Sequence, residues 1–356
     1  METLDMMKVI LPSVVAFWIG IFGTPLLTHY LFKYRVWKKK GGKQALDGTA
    51  AVEFGKLRTD ENETRTPRMG GIVIWASVFV TAIMIWLLAT WFPGSIFSKL
   101  DFISRNQTWI PLLTLVFGGL IGAINDVLDV AYEGGEKGIT LKTRLLIITI
   151  LSTAIGWWFY DKLDVVSVGL PFLPDITVGW GIVPLFVATT LFLYASGVID
   201  GIDGLSGGVF ASVFAAYALI AFNQDQINLA AFCATVVGAL MAFLWFNIPP
   251  ARFWMTETGT MGITITISVV AFMTDSLGGG EGITVLPIIG ALLVLTVASN
   301  ILQVVSKKLR GKKLFRIAPL HHHFEAIGWP SYKVTMRYWV LSIMFAFLGV
   351  IIALAG

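Results

Sequence analysis

The chain has 356 residues, of which 56% are hydrophobic and only 13% charged. Soluble domains carry about a quarter charged residues, so this composition excludes an ordinary soluble protein. The formal net charge is +4, and the one cysteine, Cys233, excludes a disulfide framework or a cysteine-based metal site. Several apolar runs reach the roughly 20 residues that cross a bilayer, which predicts an all-α polytopic membrane protein rather than an alternating β-barrel.

Ten apolar segments predict one integral-membrane domain covering residues 1–356. The first segment lacks a cleavage pattern and is interpreted as a retained span. A small β-hairpin is expected from residues 165–168 and 176–178, a short interfacial helix within 93–107, and a polar, partly flexible stretch at 38–65. The predicted spans are residues 9–31, 70–92, 109–125, 144–160, 181–199, 205–222, 227–245, 261–275, 284–304 and 336–355.

The basic residues predict the orientation of these spans. Of the 26 lysines and arginines, only Lys8, Lys99, Arg105 and Lys162 fall on one side of the ten-span topology. An excess of basic residues marks the cytoplasmic loops, so both termini are predicted to be periplasmic.

Six polar motifs adjoin the apolar spans, and all of them lie on the predicted cytoplasmic side. They comprise residues 66–71, 125–129, 200–205, 246–251, 257–260 and 316–325. The orientation was derived from lysine and arginine alone, so this agreement is an independent indication of one functional site. Ionisable groups at membrane depth cost about 2.5–3.5 kcal/mol each and usually serve a function.

Five carboxylates in the motifs at 125–129, 200–205 and 257–260 indicate metal-dependent phosphate chemistry. Asp126 and Asp129 are spaced to share a helix face, Asp200 and Asp203 have the same spacing beside glycines, and Glu257 is the fifth. Hard oxygen ligands suit Mg²⁺ or Mn²⁺, and a basic rim suits an anionic substrate. Together they suggest phosphoryl transfer at a membrane surface.

Three of the four histidines form the run 321–323. Pro319 blocks helix continuation, so the run is predicted to lie in a loop. A structural zinc site is the alternative, although adjacent residues rarely converge on one ion.

Structural interpretations remain open for each motif. The carboxylates at 126 and 129 would suit a solvated helix end, those at 200 and 203 a tight turn, and Glu257 or Asn247 a helix cap. The basic residues within 38–43 and 307–313 would suit lipid contacts that fix topology. A transporter with a proton or cation relay is the rival from another class, but its acids would lie near mid-membrane.

Residues 319–325, with 328–330, Lys333 and Arg337, resemble the signature of the phospho-N-acetylmuramoyl-pentapeptide transferase family, within the polyprenyl-phosphate N-acetylhexosamine-1-phosphate transferase superfamily. The resemblance implies transfer of phospho-MurNAc-pentapeptide from UDP-MurNAc-pentapeptide to undecaprenyl phosphate, giving lipid I and UMP in peptidoglycan synthesis. It implies Mg²⁺, with Mn²⁺ as a substitute, and an active site on the cytoplasmic face of the bacterial inner membrane. Membrane lipids are expected partners and nucleic acid is not. Dimers are common in the family, so the resemblance is compatible with a homodimer.

The resemblance also assigns roles to residues of this chain. Catalytic roles fall to Asn125, Asp126, Asp200 and His321, and Glu257 joins Asn125 and Asp126 as metal ligands. Substrate-binding roles fall to Gly201, Asp203, Asn247, Trp254, His322 and His323.

The sequence departs from the family's pattern at four positions. Asn125 and Glu257 stand where the family has aspartates, and Glu63 and Asp129 where it has lysines. Glutamate keeps a hard oxygen on a longer arm, whereas asparagine cannot take a proton. A related transferase that uses UDP-GlcNAc and a non-catalytic homologue therefore remain as alternatives.

Overall fold

The computed structural model describes residues 2–37, 65–103, 108–131, 138–275, 277 and 279–356. Within these ranges ten helices are long and apolar enough to cross a membrane, which confirms the predicted number of spans. The spanning helices are α1 (Glu2–Lys33), α2 (Ile72–Trp91), α4 (Trp109–Ala131), α5 (Leu141–Leu163), α6 (Ile182–Ser196), α7 (Leu205–Asn223), α8 (Ile227–Asn247), α9 (Thr256–Met273), α11 (Ala291–Arg310) and α13 (Ser331–Ala355). The described residues also form three shorter α-helices: α3 (Ile96–Leu100), α10 (Gly282–Ile289) and α12 (Leu320–Ala326).

The helices form a bundle with α9 at its centre. The most apolar window of α9 is 89% buried inside the protein, whereas those of α1 and α5 are 22% buried. Exposed apolar side chains such as Phe22 and Ile150 lie on these outer helices. A helix that is apolar all round and buried belongs to the interior, while the outer helices present apolar surface to lipid. The chain is therefore a multi-pass membrane protein.

Glycines bring α4 and the residues before α2 against α9. A Cβ at Gly122 would clash with the carbonyl oxygen of Glu257, and one at Gly118 would lie 2.7 Å from Gly262 Cα. A Cβ at Gly71 would likewise clash with the backbone of Gly259. Small residues allow backbones to approach closely in membrane bundles. This packing places the end of α4 beside the start of α9.

The predicted β-hairpin is confirmed, with its strands shifted by about two residues. β1 (Ser167–Leu170) pairs antiparallel with β2 (Leu173–Thr177). Asp275 holds the hairpin by accepting hydrogen bonds from Gly169 N at 3.0 Å and Ile283 N at 2.9 Å. The hairpin therefore covers the ends of α9 and α10 away from the candidate site.

Two predictions about helices were wrong. The ninth predicted span, residues 284–304, is interrupted at Gly290, where α10 ends and α11 begins; α11 continues to Arg310. The histidine run is helical rather than a loop, because Pro319 adopts an extended conformation just before α12 and does not interrupt it. Proline is tolerated there because the first N–H groups of a helix have no intrahelical partner.

Other predicted segments are only partly described. The interfacial helix predicted within 93–107 corresponds to α3, which has five residues. Buried Phe102 and Ile103 follow it. Residues 104–107 and 38–64, the latter including Glu63 and most of the polar stretch, lie outside the described residues.

Candidate active site

Asp126, near the end of α4, is anchored to the start of α9. Its side chain is 1% exposed. One carboxylate oxygen, Oδ2, accepts hydrogen bonds from Thr258 N at 2.9 Å, Thr258 Oγ1 at 2.6 Å and Thr256 Oγ1 at 2.5 Å. The other oxygen, Oδ1, is buried and has no hydrogen-bond partner among the described residues. Three donors fix the carboxylate and leave one oxygen for a ligand.

Thr256 joins the carboxylate of α4 to that of the turn after α6. Its backbone N–H donates to Asp200 Oδ2 at 2.8 Å, while its hydroxyl donates to Asp126. Ser206 Oγ donates to the second oxygen of Asp200 at 2.7 Å. The hydroxyl of Thr256 also accepts from Met69 N at 3.2 Å, in the motif that precedes α2. Four separate segments therefore meet at one residue.

Asp203 and Asn247 organise the turn between α8 and α9. Asp203 accepts hydrogen bonds from Trp254 Nε1 and Ala251 N, each at 3.1 Å. Asn247, which is 2% exposed, accepts from Gly204 N at 2.9 Å and donates to Phe253 O at 2.8 Å. These contacts fix the partly exposed indole of Trp254 at the mouth of the site.

Two arginines pair with carboxylates of the site. Arg68 forms an ion pair with Asp129, and Arg144, in the first turn of α5, forms one with Glu257 Oε1. The hydroxyl of Tyr194 lies 3.5 Å from the same oxygen of Glu257. Glu257 Oε2 is buried and lacks a hydrogen-bond partner within the described ranges. The pairs offset much of the negative charge gathered here.

Two of the three histidines reach the turn after α6. A Cβ at Gly201 would lie 2.5 Å from His321 Nε2 and 2.6 Å from His322 Nε2, so only glycine fits there. His321 is fully buried, and His322 Nδ1 lies 2.6 Å from Glu325 Oε2. Glu325 in turn accepts from Ser331 Oγ at 2.6 Å, which orients the imidazole of His322.

His323 points elsewhere, because successive residues of a helix are about 100° apart. Its Nδ1 accepts from Arg316 N at 3.2 Å, and its ring packs on Phe315 at 5.5 Å. Burial, and secondly the Arg316 guanidinium, lower the pKa of His323. A neutral His323 is consistent with Nδ1 acting as an acceptor.

The residues at the centre fit a divalent cation held by two carboxylates. Within the described residues, Asp126 Oδ1 and Glu257 Oε2 are both buried and lack hydrogen-bond partners. Asp126 is also hydrogen-bonded to Thr256 and Thr258, the residues on either side of Glu257. Mg²⁺ is usually held by one or two carboxylates together with substrate phosphates. Asn125, the third predicted ligand, instead accepts from Ile139 N at 2.9 Å. Among the described residues, no group of three or more His, Cys, Asp or Glu side chains forms a complete metal site.

Sequence reasoning missed four residues that this geometry places in the site: Arg144, Tyr194, Thr256 and Thr258. Arg144 contributes to the basic residues that predict the topology, and a charge at the start of an apolar span is in addition a signal of function. The hydroxyl residues carry no comparable signal, because their role depends on how α4 and α9 are aligned.

Comparison with known proteins decides the family. A phospho-N-acetylmuramoyl-pentapeptide-transferase of Geobacillus sp. strain WCH70 is 32% identical over 352 residues, covering 96% of this chain and 97% of the relative. The chain belongs to the phospho-N-acetylmuramoyl-pentapeptide transferase family.

Further relatives with the same name come from distant bacteria. The family's protein from Bacillus subtilis strain 168 is 30% identical over 95% of both chains. The one from Francisella philomiragia is 30% identical over 97% of this chain and 92% of its own. The glycosyl transferase family 4 model matches residues 108–275, from the beginning of α4 to just beyond α9. That match covers the acids at 126, 200, 203 and 257, while the histidines lie beyond it.

Proposed function

We propose that this protein transfers phospho-MurNAc-pentapeptide from UDP-MurNAc-pentapeptide to undecaprenyl phosphate, forming lipid I and UMP. The near full-length similarity to enzymes of that name carries the proposal. The convergence of Asp126, Asp200, Glu257 and His321 at one end of the bundle supports it. A transporter relay is disfavoured, because these groups gather at the ends of spans rather than along their middles.

In the proposed reaction an oxygen of the acceptor phosphate attacks the phosphorus attached to the sugar. A new P–O–P linkage forms, the bond to the bridging oxygen of the donor breaks, and UMP leaves with that oxygen. A phosphate monoester loses its second proton near pH 6, so the acceptor is mostly dianionic at neutral pH. Asp126 Oδ1, which accepts no hydrogen bond from the described residues, would take a remaining proton or orient the attacking phosphate.

Asp126 and Glu257 would hold the divalent metal, which when bound supplies positive charge to the donor diphosphate. His321 and His322, whose Nε2 atoms lie at the Gly201 turn, would contact phosphate oxygens of the substrates in this proposal. Trp254, fixed through Asp203, offers a flat apolar surface for the uracil base. The site faces the cytoplasm of the bacterial inner membrane in this proposal, where the soluble nucleotide is available.

A direct transfer assay tests the proposal. Purified protein in detergent with radiolabelled UDP-MurNAc-pentapeptide, undecaprenyl phosphate and Mg²⁺ should form lipid-soluble label and release UMP. The same assay with UDP-GlcNAc as donor tests the alternative that the protein is the related transferase that uses UDP-GlcNAc. Absence of product with every donor and with either Mg²⁺ or Mn²⁺ would count against transfer.

A non-catalytic homologue is the second candidate, favoured by Asn125 and Glu257 at positions where the family has aspartates. The double variant Asn125→Asp, Glu257→Asp distinguishes the two. Activity in the natural chain supports the proposed enzyme, whereas activity only in the double variant shows that the chain has lost catalysis.

A further inference from the structure

Arg144 contacts the carboxylate that would also face the metal. Its Nη1 pairs with Glu257 Oε1, while Oε2 of the same carboxylate is buried without a hydrogen-bond partner in the described part of the chain. The side chains of Arg144 and Glu257 are 21% and 27% exposed, so the pair is largely shielded from water. Arg144 begins a membrane-spanning helix, which keeps its guanidinium at the cluster.

The balance of charges explains why an arginine is needed there. Asp126, Asp129 and Glu257 gather at the meeting of α4 and α9, and Arg68 pairs with Asp129. Asp126 is hydrogen-bonded to Thr256 and Thr258, the residues on either side of Glu257. A shielded carboxylate that loses its counter-charge is strongly destabilising. In the metal-free protein, Arg144 supplies the positive charge that Glu257 requires.

We propose that Arg144 competes with the divalent metal for Glu257 and thereby sets the metal affinity of the site. This inference rests on the proposed function, which requires the metal. A cation that Glu257 and Asp126 would hold would be repelled by the guanidinium on Oε1, and the two would compete for the negative charge of Glu257. Arg144 is thus a positioning residue that keeps the carboxylate paired until metal and substrate phosphates arrive.

Mn²⁺ binding to the full-length protein tests this without a transfer assay. Binding is monitored as the loss of the free Mn²⁺ signal in electron paramagnetic resonance. Removing the charge with Arg144→Gln should tighten Mn²⁺ binding by roughly 5- to 150-fold, the usual range of coupling between two ligands. Arg144→Lys keeps the charge and should bind close to the natural affinity. Lys142→Gln, an exposed change on the same helix, is the matched control and should change nothing.

Unchanged or weaker Mn²⁺ affinity in a folded Arg144→Gln protein would overturn the proposal. If that variant unfolds without metal, its melting temperature is measured with EDTA and with excess Mn²⁺. Recovery of the melting temperature on adding Mn²⁺ supports competition for Glu257, and failure to recover shows a purely structural ion pair.

The outcome is separable from that of the proposed function. Lipid I formation with no change of Mn²⁺ affinity in Arg144→Gln would overturn only the role of Arg144. Tighter Mn²⁺ binding in a natural protein that forms no lipid I would overturn only the proposed transfer.

Discussion

Thr256 carries a backbone conformation that its side chain disfavours. Its φ is 55°, in the left-handed region that β-branched residues rarely adopt. Such a residue costs of order 1–3 kcal/mol and persists only where its surroundings hold it in place. Here the surroundings are Asp126, Asp200 and Met69 N, all hydrogen-bonded to Thr256. The strain marks the point on which the geometry of the site depends.

Asp126→Asn should reduce transfer while leaving the fold nearly intact. The amide oxygen can accept the three hydrogen bonds that Oδ2 now accepts, but the variant loses the charge and the free oxygen. We expect the transfer rate to fall by roughly 10²- to 10⁴-fold, the usual contribution of a proton-handling group. Rate and melting temperature are measured together, with exposed Asp161→Asn as the control. A rate near that of the natural protein would remove Asp126 from the mechanism.

Glu281, at the opposite end of the bundle, should make stability depend on pH. Burial, and secondly the charge of Asp175, raise the pKa of Glu281 above its ordinary value of 4.5. An acid whose pKa is raised by folding stabilises the protein below its unfolded pKa, and this contribution is lost as pH rises through the folded pKa. Glu281→Gln should therefore melt higher than the natural protein at pH 7, with the difference shrinking toward about pH 4.

Melting curves from pH 4 to pH 8 measure this effect. Exposed Asp225→Asn is the control, and any offset it produces should not vary with pH. A difference between Glu281→Gln and the natural protein that is constant over this range would exclude Glu281 as the source of the pH dependence.

At the scale of single residues, the sequence predicts which acids and histidines belong to the candidate site better than it predicts the groups that donate hydrogen bonds to them. Asp126, Asp200 and His321 are conspicuous because charged or protonatable groups beside apolar spans are costly. The donors that hold them, such as Thr258 and the N–H of Thr256, are inconspicuous because many threonines lie in these helices. The sequence also did not predict that the side chains of His322 and His323 point in different directions, because this follows from α12 being a helix.

The close approach of α4 and α9 should depend on glycine at position 122. Gly122→Ala places a methyl group against the Glu257 carbonyl, which is backbone and cannot rotate away. We expect a loss of about 1–3 kcal/mol in the free energy of unfolding, the usual cost of overpacking. Because the displaced segment includes Thr256 and Thr258, transfer should fall as well.

Gly23→Ala provides the control for the same substitution in a helix. A Cβ added at Gly23 would have no described atom within 4 Å, so alanine there should be neutral or slightly stabilising. The two variants are compared by denaturant unfolding in the same detergent. Equal stability of the Gly122→Ala and Gly23→Ala proteins would show that α4 can move without cost.

At the scale of elements, hydropathy was sufficient to predict ten spans but not where they are interrupted. The stretch from 284 to 304 is apolar throughout, so the interruption at Gly290 leaves no trace in hydropathy. The hairpin at 167–177 was recognisable from its β-branched residues and prolines. Its anchoring by Asp275 was not, because that contact joins segments more than 100 residues apart in sequence.

The orientation of the whole molecule, predicted from its basic residues, can be measured with engineered cysteines. Cys233 is the one natural cysteine and is buried, so background labelling should be low. In intact spheroplasts, a membrane-impermeant maleimide should label Asp175→Cys in the hairpin and leave Lys312→Cys unlabelled. Inverted membrane vesicles should give the opposite pattern. Labelling of Lys312→Cys in intact spheroplasts would place the histidines and their neighbours outside the cell.

The contact of Gly201 with His321 and His322 has a consequence for how the protein is made. The site draws on segments from residue 68 to residue 322, so its last pieces are synthesised only after nine of the spanning helices described above. A chain that terminates early would therefore lack both histidines whatever helices it had already inserted. Translation errors of that kind should yield protein without transfer activity.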